Sequence, residues 1–523
     1  MYSNTSYKKP FWAENSGFMT GRDPLGVQNS SIKTYGKLLP GLTNLTLRLR
    51  YYGFYMWVLD EFFKKQDGNK DFSQRDQHNF IRRGELIIAY LMRHIGEDEQ
   101  SIIGSNFTNS HAEDLELNGF YNIALGADKL ADTVKDSVYW DYISGALGQY
   151  YAGSLSILKL ISVDNKFFSL ESRGKELASA FRASIPRQEE ELFLKCIENG
   201  KLTLDDIEKL TSFSISNIEV DSEEWQFYES LLLGEDGTVD AEKKISYNRK
   251  TTMELLLMYH SNSDDNYNDR SFILHEYIQN TNQLKDGASF GWYYYYVNEV
   301  FHFALETIFW GMLVEMDGKP MPVNEFLNEI KGQVVNAEAS NGVYKTNSSL
   351  EDIVIQIEDV NVHEALAELE QLTKSTVNNV HAMKNAIELM LLNYISIDQN
   401  IKELEEFEKR YFIAGQKGCV SENYHVYVHQ NLQVSFEKFV SSAIQQLLND
   451  HINTAYRKMG NGESNLLKFI IEDGIISHIQ TMPPKHTSPR LKTITNFLRD
   501  LSLIGDDNMI TDAGKKALIR ISE

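Results

Sequence analysis

Arg270 and His275 stand five residues apart in Arg-Ser-Phe-Ile-Leu-His, within a stretch of helical composition. An Arg-x4-His pair on a helix, pooled with that of a second copy, can activate a ribose 2′-hydroxyl and stabilise the charge on a phosphate. Two fixed positions also arise by chance in a chain of 523 residues, where they read as a surface arginine and a packing histidine. Glu329-Ile330-Lys331 has the Glu-x-Lys spacing of metal-dependent nucleases, with Asp317 upstream as a further carboxylate. That chemistry needs a strand, whose alternation sets Glu and Lys on one face beside Mg2+. Here Asn324–Lys331 reads as a helix. His425 and His429, in Tyr-His-Val-Tyr-Val-His-Gln, fall on one face of an expected short strand, and zinc would need one or two further ligands, Cys419 or His451. The commoner reading is a histidine pair without metal, and no metal or cofactor is expected. Arg48 and Arg50 precede Tyr51, Tyr52, Phe54, Tyr55 and Trp57. Basic–aromatic interleaving can stack nucleic-acid bases. The apolar run that follows reads instead as a packed core helix, with the guanidinium groups paired to buried acids or reaching outward. The chain has no GxxxxGK[ST] loop, dinucleotide fingerprint, GxSxG elbow or HExxH, so ATP hydrolysis and serine hydrolysis are disfavoured.

Bulk properties narrow the setting. A hydrophobic fraction of 42% with 24% charged residues is that of a globular protein, and nine prolines leave room for long helices. A formal net charge of −23 repels phosphate backbones overall, so any contact with nucleic acid must use a local basic patch. Two cysteines, Cys196 and Cys419, build neither a disulfide framework nor a four-thiolate zinc site. The opening residues, MYSNTSYKKPFWAENSG, lack the apolar run of a signal peptide, and the most apolar window, Glu388–Ile397, is short of the ~20 residues of a membrane span. A cytoplasmic protein without membrane contact is expected.

The elements that must position these residues are mainly helical. Helices are predicted over Leu45–Phe63, Gln77–Ile95, the apolar peak Trp292–Val314, and Val434–Tyr456, with Ile143–Tyr151 and Leu155–Ile161 as two short helices. Residues 1–138 read as an N-terminal helical domain, 139–185 as a winged-helix-like module and 186–348 as a central helical domain. Residues 349–415 read as a helical hairpin or coiled-coil-like arm, followed by a linker over Gly415–Ser421, and 421–523 as a C-terminal winged-helix-like domain. The expected fold class is therefore mainly α, a multi-domain helical protein with one or two winged-helix-like modules and a long helical hairpin.

The C-terminal stretch carries the winged-helix pattern. A helix with apolar Leu491, Ile494, Phe497, Leu498 and Leu501 runs into Leu503-Ile504, a turn at Gly505-Asp506-Asp507-Asn508, and a return strand Met509–Thr511. Thr511 or Asp512 then caps a last helix. The order Leu501–Ile504, turn, Ile510-Thr511, Gly514, Ala517-Leu518 repeats that of Leu158–Ile161, turn, Ser169-Leu170, Gly174, Leu177-Ala178. Over Thr481–Glu523 seven basic residues (Lys485, Arg490, Lys492, Arg499, Lys515, Lys516 and Arg520) face five acids. Lys485, Arg490, Lys492, Arg499, Lys515 and Lys516 are the candidate contacts to double-stranded DNA or to a protein partner.

Three stretches carry a resemblance as a set: LLPGLTNLTLRLRYYGFYMW (38–57), GALGQYYAGSLSILKLIS with SLESRGKELASAF (145–181), and SPRLKTITNFLRDLSLI (488–504). They resemble uncharacterised bacterial proteins associated with phage-defence gene clusters, a group that supplies no catalytic motif to carry over. The resemblance implies a subunit of a defence complex and nothing about mechanism. The repeated wing pattern, the long helical arm and the missing catalytic set lead to the expected function, a non-enzymatic scaffolding or DNA-associated subunit of a bacterial anti-phage defence or genome-maintenance complex, holding a partner ATPase or nuclease. The alternatives are a HEPN-type nuclease effector acting through Arg270 and His275, and a winged-helix transcriptional regulator.

Overall fold

The computed structural model describes residues 23–66, 73–96, 102–128, 138–234, 240–262, 268–285, 287–342, 344–411, 420–460 and 466–522. These are mainly helical and group into two compact units. Unit I takes Met1–Tyr35 with Ile273–Thr487, and unit II takes Gly36–Phe272 with Ser488–Glu523. The grouping cuts across the five consecutive segments expected from the sequence. The 421–523 stretch is divided after Thr487, and 139–185 is an internal part of unit II.

Unit II is built on α1 (Arg50–Gln66), where Tyr51, Tyr52 and Phe54 through Leu59 are fully buried. A helix that is apolar all round needs partners on every side. Gly53 is required because a Cβ there would collide with the Tyr228 hydroxyl, which accepts the Gly53 N–H at 3.0 Å. Arg50 is buried and pairs with buried Glu224 at 3.1 Å, while donating to Ser212 O at 2.8 Å and Ser184 Oγ at 2.9 Å. Arg48 pairs with Asp500 at 3.1 Å. The arginines of the aromatic run therefore serve packing, and its rings present no stacking face. The next helix, α2 (Gln74–His94), starts on a capping box made by Ser73 and Asp76.

A compact module follows: α3 (Ala152–Ile157), the hairpin β1 (Ile161–Asp164) and β2 (Phe167–Leu170), and α4 (Ser172–Ala183). The expected helix Leu155–Ile161 stops at Ile157, because Lys159 takes a left-handed φ of 58° and Ile161 pairs with Leu170 across the hairpin. The unit continues through α5 (Glu223–Leu233) and α6 (Asp240–Asn262).

After α7 (Asp269–Asn282), unit I is centred on α8 (Gly287–Met316). At 30 residues it is ~45 Å long, and every residue from Ala288 to Leu313 is buried. Next come β3 (Met321–Pro322), α9 (Val323–Asn336), α10 (Val362–Leu372) and α11 (Asn379–Asp398). Within the 349–415 stretch, α11 packs along α8 and is buried without interruption from Ala382 to Tyr394. Even its charged positions have internal partners. Lys384 donates to Ala337 O at 2.6 Å, and Glu388 accepts from the Tyr344 hydroxyl at 2.9 Å.

The expected strand at Tyr424–Val428 is helical, leading into α12 (Val426–Asn431), since five residues alternating between apolar and polar are too few for period alone to separate the two forms. α13 (Phe436–Gly460) and the hairpin β4 (Phe469–Glu472) and β5 (Ile475–His478) complete the unit. β5 lies between β3 and β4, all antiparallel, with Asp473 and Gly474 in the left-handed region at the hairpin turn.

The chain then returns to unit II with α14 (Leu491–Asp500) and α15 (Asp512–Ser522). Between them the expected return strand Met509–Thr511 is reduced to one bridge, Ile504 with Ile510. The correspondence with the α3–α4 module holds at the backbone. Leu160 N donates to Leu155 O at 2.9 Å, and Leu503 N to Leu498 O at 2.8 Å. Lys159 and Ser502 share a left-handed φ, 58° and 55°. Gly174 and Gly514 leave no room for a Cβ against Leu160 O and Leu503 O respectively. Among the described residues no helix is long and apolar enough to cross a membrane.

Candidate functional site

The buried face of α8 carries Glu299, His302 and Glu306, at i, i+3 and i+7, one above another in a largely apolar helix. His302 lies between two carboxylates, its Nδ1 3.4 Å from Glu299 Oε1 and its Nε2 3.0 Å from Glu306 Oε1. The two carboxylates outweigh the desolvation that opposes a buried charge, and hold the imidazole well above its ordinary range. Glu299 is held well below the carboxylate range, against the opposing effect of burial, by His302 and by His486. Thr487 fixes the same carboxylate, donating from its N–H and its hydroxyl at 2.8 Å each. His486 reaches Glu370 Oε1 at 2.7 Å and stacks on Phe303 at 4.4 Å, and its two carboxylate partners raise its pKa despite desolvation.

Glu306 faces a cavity of about 420 Å3. Its Oε1 accepts from Gln28 Nε2 and its Oε2 from Lys485 N, each at 3.1 Å. The second wall is a turn whose Asp23 carboxylate accepts the N–H groups of Gly26, Val27 and Gln28 at 2.8, 3.1 and 3.3 Å. Burial raises the Asp23 pKa, against the opposing ammonium of Lys458. α13 supplies the third wall with His451, Thr454, Ala455 and Lys458, again at i, i+3, i+4 and i+7. Lys458 donates to Asp23 O at 2.7 Å. His451 donates from Nδ1 to Pro24 O and accepts the Lys468 N–H at Nε2, each at 2.9 Å, which assigns a neutral tautomer. Burial pushes its pKa down to about 4. Lys468 and Gln480 meet across the mouth at 2.8 Å.

Chemically, the arrangement offers ammonium and amide donors to a ligand. His451 is engaged at both ring nitrogens by backbone groups, and His302 stands between two carboxylates with its Nδ1 hydrogen-bonded to Glu299. The sequence did carry a signal: Glu-x2-His-x3-Glu at helical spacing inside the most apolar stretch of the chain. That stretch reads as core on composition alone, and the stripe goes unnoticed.

The residues expected to touch DNA or a partner are divided between the two units. Lys485 belongs to unit I, where it lines the cavity. Arg490, Lys492, Arg499, Lys515 and Lys516 belong to unit II. Arg490, at φ 67°, donates to Leu39 O at 3.2 Å, and Arg499 is tied to Asn496 and Asn508. Lys515 faces Asp512 at 3.6 Å, and Lys492 and Lys516 are exposed. α14 is buried at Leu491, Thr493, Ile494, Thr495, Phe497 and Leu498, leaving one narrow stripe at Lys492, Asn496 and Arg499.

Arg270 and His275 are both exposed on α7 and lie roughly 140° apart around it, so they do not converge within the chain. Glu329 and Lys331 sit on α9, where Lys331 pairs with Glu437 at 3.0 Å. Asp317 pairs with His478 at 3.2 Å, so the Glu-x-Lys set does not assemble. Of the ligands considered for His425 and His429, His451 is committed to the cavity wall, and Cys419 lies outside the described residues. Comparison of the chain with family models, curated proteins and solved structures finds no match.

Proposed function

We propose that the chain is a binding subunit rather than an enzyme, and that the cavity of unit I takes a small ligand bearing an anionic group. The observation that carries this reading is the disposition of charge: Lys458, Lys468 and Lys485 stand around the cavity. The Glu306 carboxylate is countered by the His302 imidazolium, and that of Asp23 is occupied by three backbone donors. Three ammonium groups in its wall give the cavity a local cationic lining that draws anions in a chain whose net charge is −23. General base catalysis needs an available imidazole lone pair; the His302 imidazolium has none, and that of His451 accepts the Lys468 N–H.

Thermal denaturation of the full chain with inorganic phosphate, pyrophosphate or a nucleoside triphosphate tests the reading. A ligand at a hundred times its Kd stabilises by about 2.7 kcal/mol. That stabilisation is expected for at least one probe and is lost in K468A/K485A. Absence of any shift, or the same shift in the double variant, overturns it.

A second reading, the scaffold of a defence or genome-maintenance complex, is favoured by the backbone pattern repeated in the α3–α4 and α14–α15 segments, which suits docking to a partner ATPase or nuclease. Exposed Lys492 and Lys516 leave room for contact with duplex DNA. Charge reversal there is expected to flatten the salt dependence of DNA binding. Affinity and salt slope that stay unchanged remove the DNA role. The nuclease reading through Arg270 and His275 requires a second copy, because the pair does not converge within one chain.

A further inference from the structure

We propose that Asp398, His425 and His429 of unit I form a binding site for a divalent transition-metal ion of the zinc class. One ligand atom from each of the three lies within 4.8 Å of those of the other two. Asp398 ends α11, and His425, the N-cap of α12, stands one helical turn before His429 within it, so both imidazoles leave the same face. His425 Nε2 is 2.6 Å from Asp398 Oδ1, and the two imidazoles stack at 5.4 Å with an interplanar angle of 20°.

Tyr394, one turn before Asp398 on α11, supports the set from behind. Its hydroxyl is 3.0 Å from His429 Nδ1 and 3.4 Å from Asp398 Oδ1, and its ring stacks on His425 at 5.2 Å. Hydroxyl and carboxylate partners of this kind orient the ligands of metal sites.

An ordinary ion pair would use one imidazole and one carboxylate; here a second imidazole is held beside the same carboxylate, and one ligand atom of each of the three is gathered within reach of a single cation. Two imidazole nitrogens and one carboxylate are borderline donors that favour zinc, cobalt, nickel or copper over magnesium and calcium. With metal–ligand bonds of about 2.1 Å, tetrahedral ligand atoms stand roughly 3.4 Å apart, within reach of side-chain rotation from the present spacing. Asp398 and His429 are exposed, which leaves a coordination position open to solvent. The residue after His425 is Val426, where a helical His-Glu-x-x-His motif carries its general base, so the set is built to hold an ion.

The test uses the full-length, tag-free chain stripped with a chelator and titrated with Zn2+ against a competing dye, with Co2+ as a spectroscopic probe. The expected result is one ion per chain, with cobalt absorption of a low-coordinate nitrogen–oxygen site. Second-shell losses weaken metal sites about 10–100-fold, which is the effect expected for Y394F. H425Q/H429Q and D398N are expected to lose at least as much as the upper end of that range. D398N keeps a hydrogen-bond acceptor for His425, so its folded state, checked by circular dichroism, is preserved while the anionic ligand is gone. Absence of stoichiometric binding, undiminished binding in H425Q/H429Q, or displacement of the ion by an equal concentration of Mg2+ overturns the proposal. The K468A/K485A variant is expected to bind zinc unchanged, which keeps this test apart from that of the cavity.

Discussion

Replacing His302 by Gln removes the one cation between Glu299 and Glu306 and leaves two buried carboxylates facing a neutral amide. At an effective dielectric constant of 20, unit charges 3.0 and 3.4 Å apart attract by roughly 5 kcal/mol each. Desolvation offsets a large part of this attraction, and removing one member of a buried pair costs about 3–5 kcal/mol in practice. For a unit of this size each kcal/mol moves Tm by about 2–4 °C, so H302Q is expected to melt roughly 6–20 °C below the parent at pH 7.

The pH dependence gives the sharper test. The folded-state pKa of His302 is raised above its ordinary 6.5, so its stabilisation is fully present below that value and is lost as pH rises through the folded pKa. The gap in Tm between parent and H302Q, measured by circular dichroism across an alkaline series, therefore narrows with rising pH. A gap under about 1 kcal/mol at pH 7, or one that stays constant into the alkaline range, would refute a charged His302.

Further expectations can be checked by the same denaturation experiments. Arg50→Met strands buried Glu224 and is expected to cost about 3–5 kcal/mol, whereas the double change R50M/E224L recovers most of it. Gly174→Ala and Gly514→Ala each force a Cβ against a backbone carbonyl and are expected to cost about 1–3 kcal/mol. A neutral effect at either position would remove the equivalence of the two modules. His451 is held neutral in the folded chain, its pKa depressed to about 4, so stability is full above pH 6.5 and falls as pH drops from 6.5 towards 4. That shift is worth about 3 kcal/mol, and H451Q is expected to lose this acid-sensitive limb of the Tm profile.

The helical class and the long buried helices were legible in the sequence, because runs such as Tyr51–Leu59 and Trp292–Leu313 are too long and too apolar for strands. The echo between Leu158–Gly174 and Leu501–Gly514 was legible too, since both copies carry the same apolar residues around the left-handed position and the same glycine against a carbonyl. The division into units was not. Nothing local in Ser488–Glu523 says that it packs with residues from the first half of the chain, as Phe497 does with Tyr52 at 5.7 Å and Leu501 O with Trp225 Nε1 at 2.9 Å. The cavity was hidden for a related reason. Asp23, Glu306 and Lys458 are hundreds of residues apart, and only packing brings them together. His425 and His429 were read on one face of a strand; they share a face of a helix instead, and Asp398 comes from an element whose apolar pattern advertised only packing.

The tail that closes unit II has a consequence for biogenesis. Tyr52, Trp225 and Arg48 leave the ribosome long before the segment that covers them, and the 273–487 stretch between takes roughly 10–40 s to translate. During that interval an aromatic surface on the nascent chain waits for its lid. Co-translational chaperone engagement should therefore be strongest once Gly36–Phe272 has emerged without Ser488–Glu523, and should fall once that segment has emerged.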